Sequence, residues 1–173
     1  MKIRLLVTKN CPKNCSGCCN KDWDLDGLPV YNIGQNADEI LITGGEPLLY
    51  LDKLYKLIGE IHRYSLQPPK IYIYTATNSL RTLRKIVPFV RGITLTLHEQ
   101  VDADILFEDG GKKLYDMLRW YRQCTSFRLN IFDGIKCNIK PEYNIWDIKQ
   151  NIKWIENCPL PKNEIFMRLE NLW

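Results

Sequence analysis

The chain has 173 residues, 45% of them hydrophobic and 25% charged, a balance normal for one soluble domain with a core of its own. Net charge is +4 without long basic runs, which permits an anionic partner but gives no indication of nucleic-acid binding. No apolar stretch is long enough to span a bilayer, and residues 1–7 read as a strand rather than a signal peptide, so a single compact domain over residues 1–173, cytoplasmic and without a membrane partner, is expected.

Residues 3–8 form the first strand candidate. Directly behind it stands Cys11-Pro-Lys-Asn-Cys15-Ser-Gly-Cys18, a C-x3-C-x2-C array. Residues 20–37 hold Gly27, Pro29 and Gly34 and no helical period. A parallel crossover normally needs a helix here, so the expectation is a long irregular loop with at most one helical turn. Residues 39–43 are the second strand, followed at once by Gly44-Gly45-Glu46-Pro47. Leu51, Leu54, Leu57, Ile58 and Ile61 then share one face of a helix near residues 50–64.

The third strand covers residues 70–74 and ends in Thr75-Ala76-Thr77-Asn78. Leu80, Leu83, Ile86 and Val87 set a second helix that Pro88 stops. Residues 92–98 are the fourth strand, and Leu114, Met117, Leu118 and Tyr121 mark a third helix. Residues 126–132 are the fifth strand. Ile145, Ile148, Ile152 and Ile155 repeat at helical spacing behind Asn144, which predicts a fourth helix with an Asn N-cap. Residues 164–169 are the sixth strand. This alternation predicts an α/β fold of mostly parallel strands joined by right-handed crossovers. Six strands suit a partial (β/α)6 TIM-like barrel, two strands short of a closed one. Reactive residues in such folds gather at the C-terminal ends of strands, where both the cysteine array and Gly44 to Pro47 fall.

Seven cysteines, four of them between positions 11 and 19, do not make a secreted disulfide framework. A metal or cluster site in a reducing compartment fits better. Structural zinc wants four ligands, usually two pairs. Here there is no second pair, and the only histidines are His62 and His98. Three thiolates suit an iron–sulfur cube, in which one iron is then left open for chemistry. Cys19 adjoins Cys18 and is expected to be a buried or neighbouring thiol rather than a ligand. Cys124, Cys137 and Cys158 lack the spacing of a second cluster and are expected in the core. Trp120, Trp146, Trp154 and Trp173 are expected to pack helices and the C-terminus, and Trp23 to pack at the surface or over the cysteine loop.

The cysteine loop after strand one, with Gly-Gly-Glu-Pro after strand two, resembles the radical S-adenosylmethionine (SAM) superfamily, and the strand–helix order extends the likeness over most of the chain. The resemblance implies that Cys11, Cys15 and Cys18 ligate a [4Fe–4S] cluster whose fourth iron is chelated by SAM. An electron from a donor such as flavodoxin or ferredoxin then cleaves SAM to methionine and a 5′-deoxyadenosyl radical, which abstracts hydrogen from a substrate.

Gly44 and Gly45 would let backbone approach SAM closely, Glu46 would fix that backbone, and Pro47 would start the next helix. The resemblance also brings Thr75 and Asn78 near SAM, although Thr and Asn favour turns in any case. Thr94, Thr96 and His98 share one strand face; on a barrel Thr96 and His98 would point inward as polar contacts. Arg128, on one face with Asn130, would need a polar partner if buried, such as a ligand carboxylate or ribose. No catalytic residue beyond the cluster is assigned.

Cys15-Ser-Gly-Cys18-Cys-Asn20-Lys21 is similar to the stretch found in anaerobic ribonucleotide reductase activating enzymes, which implies a glycyl-radical protein as substrate. The Thr-Asn after strand three is more typical of other branches, such as 7-carboxy-7-deazaguanine synthase, which acts on a small pterin. A non-catalytic iron–sulfur or zinc protein is the reading the cysteine loop would allow alone.

Overall fold

Seven strands and four α-helices make up the fold in a computed structural model that describes all residues, Met1–Trp173. The strands are β1 (Lys2–Thr8), β2 (Glu39–Gly44), β3 (Lys70–Thr75), β4 (Gly92–Leu97), β5 (Ser126–Phe132), β6 (Asp147–Ile152) and β7 (Ile165–Arg168). The helices are α1 (Leu51–Tyr64), α2 (Leu80–Ile86), α3 (Gln100–Phe107) and α4 (Lys112–Leu118). The fold is α/β, and the strand pairings are parallel. Met1–Tyr74 together with Trp154–Trp173 forms one unit, and Thr75–Lys153 a second. No helix is long and apolar enough to cross a membrane.

In the first unit β1 lies between β2 and β7, and β3 pairs with β2. Ile3, Leu5, Ile40, Ile42, Ile71 and Ile73 alternate onto one face of these strands and are essentially fully buried. The opposite face is mixed. Arg4, Thr43, Tyr72 and Tyr74 are half-buried there, with the Arg4 guanidinium 2.8 Å from Glu164 and 5.2 Å from the Tyr74 ring centre. Passage from β1 to β2 to β3 moves one strand at a time in one direction. Right-handed crossovers then put connections on a single side and leave the other face without helices.

Glu46 starts the turn before α1, its carboxylate accepting from the Leu48 N–H at 3.0 Å. Leu54, Leu57, Ile58 and Ile61 then recur at positions i, i+3, i+4 and i+7 and are all buried. His62 is exposed in the last turn, as the period requires. Residues 20–37 form the irregular connection expected, with one 3-10 turn at Cys19–Lys21. Leu25 is buried there with Leu6 and Phe166, and Trp23, Leu28 and Leu172 pack against them.

In the second unit β5 lies between β4 and β6. Ile93, Leu95, Leu97, Phe127, Leu129 and Ile131 make its buried apolar face. Ser79 caps α2 by accepting from the Thr82 N–H.

Several sequence expectations are corrected. In place of the helix predicted from Ile145 to Ile155 stand strand β6, which holds Ile148 and Ile152, and irregular chain on both sides of it. The four isoleucines are only half-buried or exposed rather than gathered on one buried stripe. Pairing with β5 gives the backbone partners that a helix would otherwise supply. Asn144 caps no helix; its side-chain oxygen accepts from the Trp146 N–H at 2.9 Å. The strands therefore number seven rather than six, and the sixth predicted strand is β7, at the far side of β1. Helix α3 was not read from the sequence, because Asp102, fully buried on its packed side, interrupts the apolar period. Trp120 is 75% exposed and Cys124 is exposed, so neither packs in the core.

Replacement of Leu54 by Ala is expected to cost about 2–5 kcal/mol of unfolding free energy, read from urea denaturation. A loss below about 1 kcal/mol would show that α1 does not cover an apolar face.

Candidate functional site

β1 and β2 are parallel and in register, with Leu6 opposite Thr43 and Thr8 opposite Gly44. Their C-terminal ends therefore stop at one level. The cysteine loop leaves from β1 and Gly44-Gly45-Glu46-Pro47 leaves from β2. The two segments touch through backbone. The Gly45 N–H donates to the Thr8 carbonyl and the Glu46 N–H to the Asn10 carbonyl, both at 2.7 Å.

This contact explains the glycine pair. Gly44 has φ +140°, a conformation L side chains rarely adopt, and a Cβ there would lie 2.2 Å from the Thr8 oxygen. A Cβ on Gly45 would lie 2.0 Å from the Asn10 oxygen. A side chain at either position would displace the start of the cysteine loop.

Further bonds hold the loop. The Asn10 N–H donates to Thr8 Oγ1 at 3.1 Å, and Asn10 Nδ2 donates to the Tyr50 hydroxyl at 2.7 Å. On the far side of the loop, Asn20 Nδ2 donates to the Gly44 carbonyl at 2.8 Å. Lys21 Nζ donates to the Cys15 carbonyl at 2.8 Å and to Asn14 Oδ1 at 3.2 Å. The strand-end glycine and the residues on both sides of the triad thus form one hydrogen-bonded group. Asn10, Asn20 and Lys21 were not assigned a role from sequence, although Asn20 and Lys21 stand in the stretch that carried the resemblance.

Cys11, Cys15 and Cys18 are outside any disulfide. Cys11 is exposed as a residue, and Cys15 and Cys18 are half-buried. Partial burial of its sulfur raises the Cys11 pKa, with the Glu46 carboxylate and Cys18 pushing the same way, against a backbone hydrogen bond from Lys13. A bound cation would reverse that balance by favouring the thiolate. Cys19 is bonded to Cys158, with Cα atoms 5.3 Å apart. Cys158 is buried as expected, but the expectation that it and Cys19 are free thiols is thereby corrected. The loop keeps three thiols and no fourth. No three Cys, His, Asp or Glu side chains converge tightly enough for a single metal ion. In donor type and number, three thiols outside any disulfide match what a four-iron cube with one open iron takes from a protein.

Gly17 also has a physical reason. A Cβ there would fall 2.6 Å from the Trp154 ring, so a residue distant in sequence occupies the space next to Cys18. Trp23 stacks edge-on against Phe166 at 5.2 Å, and its indole N–H donates to the Cys158 carbonyl.

The other predicted site residues belong to the second unit. Thr75 is buried, its hydroxyl accepting from the Thr77 N–H at 3.1 Å. Asn78 Nδ2 donates to Asp102 at 3.3 Å. Thr94 is buried and Thr96 and His98 are half-buried on the face opposite the apolar one, with the His98 ring 5.0 Å from Phe132. Arg128 shares that face but is exposed, 3.9 Å from Asp147. Its partner is thus a solvent-exposed carboxylate of the neighbouring strand. Cys137 has its thiol pushed up to about 11 by burial, which makes it a poor ligand or nucleophile at neutral pH.

No family model matches this chain, and none of the curated proteins compared with it matches either.

Replacing Gly45 by Ala is expected to lower stability by about 1–3 kcal/mol in urea, because neither neighbouring carbonyl can move freely. Gly59, in mid-α1 with nothing within 4 Å of an added Cβ, is the control. There Ala is expected to add about 0.5–1 kcal/mol. Equal effects at the two positions would contradict the close approach.

Proposed function

We propose that this chain is a radical SAM enzyme built on a partial parallel barrel, in which Cys11, Cys15 and Cys18 hold a [4Fe–4S] cluster and Gly44 to Pro47 bind SAM beside it. The observation that carries this reading is the backbone contact of Gly45 and Glu46 with Thr8 and Asn10. It sets the glycine pair against the start of the cysteine loop. The consecutive order of β1, β2 and β3, with one face apolar and the other mixed, supports the barrel part of the proposal.

When bound, a reduced cluster of this kind supplies the electron that cleaves SAM to methionine and a 5′-deoxyadenosyl radical, which takes a hydrogen atom from a substrate. The chain's own residues bind and orient. The three thiols give a ligand set that leaves one iron for SAM. The glycine pair lets the end of β2 lie against the Thr8 and Asn10 carbonyls at the start of the cysteine loop. Glu46, buried and fixed as the cap of the following turn, holds the strand end rigid. Asn20 and Lys21 tie the far side of the loop to Gly44 and Cys15. Thr75, Asn78, Thr96 and His98 keep the SAM-binding role implied by the resemblance. Arg128, exposed beside Asp147, has the weakest claim to it.

Within the superfamily we favour the activating-enzyme branch. The electron donor would be a flavodoxin or ferredoxin, the substrate a glycyl-radical protein, and the compartment the cytoplasm. Asn20 and Lys21 of the shared stretch both act on the metal loop, which supports that branch over one that modifies a small pterin.

The test is anaerobic reconstitution with iron and sulfide, followed by reduction in the presence of SAM. The chain is expected to form 5′-deoxyadenosine. Ala at any one of Cys11, Cys15 or Cys18 should abolish both the cluster absorbance and the product. Cys19→Ser should leave both. A cluster that forms without SAM cleavage would instead favour a non-catalytic iron–sulfur protein. Loss of the cluster in Cys19→Ser would mean that the ligand set is wrong.

A further inference from the structure

The connection from β6 to β7, residues 153–164, carries no helix or strand, yet it is fastened to the far side of the cysteine loop at four points. Cys158 is bonded to Cys19, the residue after Cys18. The Cys158 N–H donates to Asp22 Oδ2 at 3.0 Å, and its carbonyl accepts from Trp23 Nε1 at 2.9 Å. Trp154 packs on Gly17. Ser16, Gly17, Cys18 and Asp22 face Trp154 and Ile155 across a groove of about 470 Å³.

We propose that Cys19–Cys158 is a reversible disulfide latch that holds this connection over Cys18 and so governs access to the metal loop. Three observations lead there. Between this segment and the cysteine loop, two hydrogen bonds and one ring contact stand beside the disulfide, residues 153–157 are exposed, and the Arg4–Glu164 pair holds the segment's far end. Breaking the cross-link therefore frees the segment at low cost. The disulfide is the chain's only one and adjoins a thiol-rich loop, rather than forming part of an even framework spread along the chain. Where disulfides occur in reducing compartments they are mostly redox-responsive. Finally, the cross-link joins residues 139 apart in sequence, so its state is communicated directly from the β6–β7 connection to the neighbour of Cys18.

Opening is thiol–disulfide exchange with a cellular dithiol or monothiol reductant. A thiolate attacks one sulfur of the pair, the other leaves as thiolate and takes a proton, and a second thiol resolves the mixed disulfide. Two thiols become one disulfide, and two electrons and two protons pass to Cys19 and Cys158. Glutathione disulfide reverses the change. The regulatory meaning rests on the reading of Cys18 as a cluster ligand; the latch itself does not.

The test uses the full, metal-free chain equilibrated in glutathione buffers of varied oxidised fraction. Alkylation rates of Cys11 and Cys18 are read by peptide mass spectrometry. In oxidised buffer a Cys19–Cys158 linked peptide is expected. On reduction the Cys18 rate should rise about tenfold while that of Cys11 changes less than about twofold. Cys158→Ser should show the fast Cys18 rate in every buffer. Absence of the linked peptide in oxidised buffer, or a Cys18 rate indifferent to reduction, overturns the latch. Because no cluster is present, this result is independent of whether SAM is cleaved.

Discussion

Parallel pairing of β1 with β2 is the constraint from which the candidate site follows. Register puts the last residues of both strands side by side, and only glycine can follow β2 there, because the Thr8 and Asn10 carbonyls occupy the space of a side chain. The hydrogen bonds from Gly45 and Glu46 fix the path of the loop that carries Cys11, Cys15 and Cys18. A slip of one residue would turn the buried Ile3, Leu5, Ile40 and Ile42 to the opposite face, so the same apolar burial that stabilises the strands sets the geometry of the site.

Around that contact, short polar side chains do the holding. Asn10 and Asn20 reach from the two sides of the cysteine loop, one to the Tyr50 hydroxyl and one to the Gly44 carbonyl. Lys21 spends its ammonium on the loop's own backbone. The arrangement leaves the triad thiols uncommitted to disulfides while tying up Cys19, the thiol that would otherwise compete with them. Arg4 and Glu164 hold the mixed face of the same unit together at half-buried positions, where a paired charge is tolerated and an unpaired one is costly.

Much of the fold was legible because period and punctuation agreed. All six predicted strands exist, and α1, α2 and α4 lie where apolar spacing put them. The failures have distinct physical causes. The helical spacing of four isoleucines was overruled where Ile148 and Ile152 pair with β5, since a strand beside an open edge gains backbone partners that local sequence does not reveal. Asp102 hid α3 by standing as a buried carboxylate among apolar neighbours, accepting from Asn78. The cysteine and glycine motifs were readable as a pair only through their order after consecutive strands. Their contact needed the register. Cys19–Cys158, and the filling of the space beside Gly17 by Trp154, join positions too distant in sequence for any local pattern to signal.

The most direct measurement of the central claim is electron paramagnetic resonance on the anaerobically reconstituted, reduced chain, with and without SAM carrying nitrogen-15 in its amino group. The account predicts a reduced four-iron signal that changes on SAM addition and shows coupling to the labelled nitrogen, as an open iron beside the Gly44–Gly45 backbone requires. A signal that ignores SAM, or a loop that takes up zinc in place of iron, would contradict it.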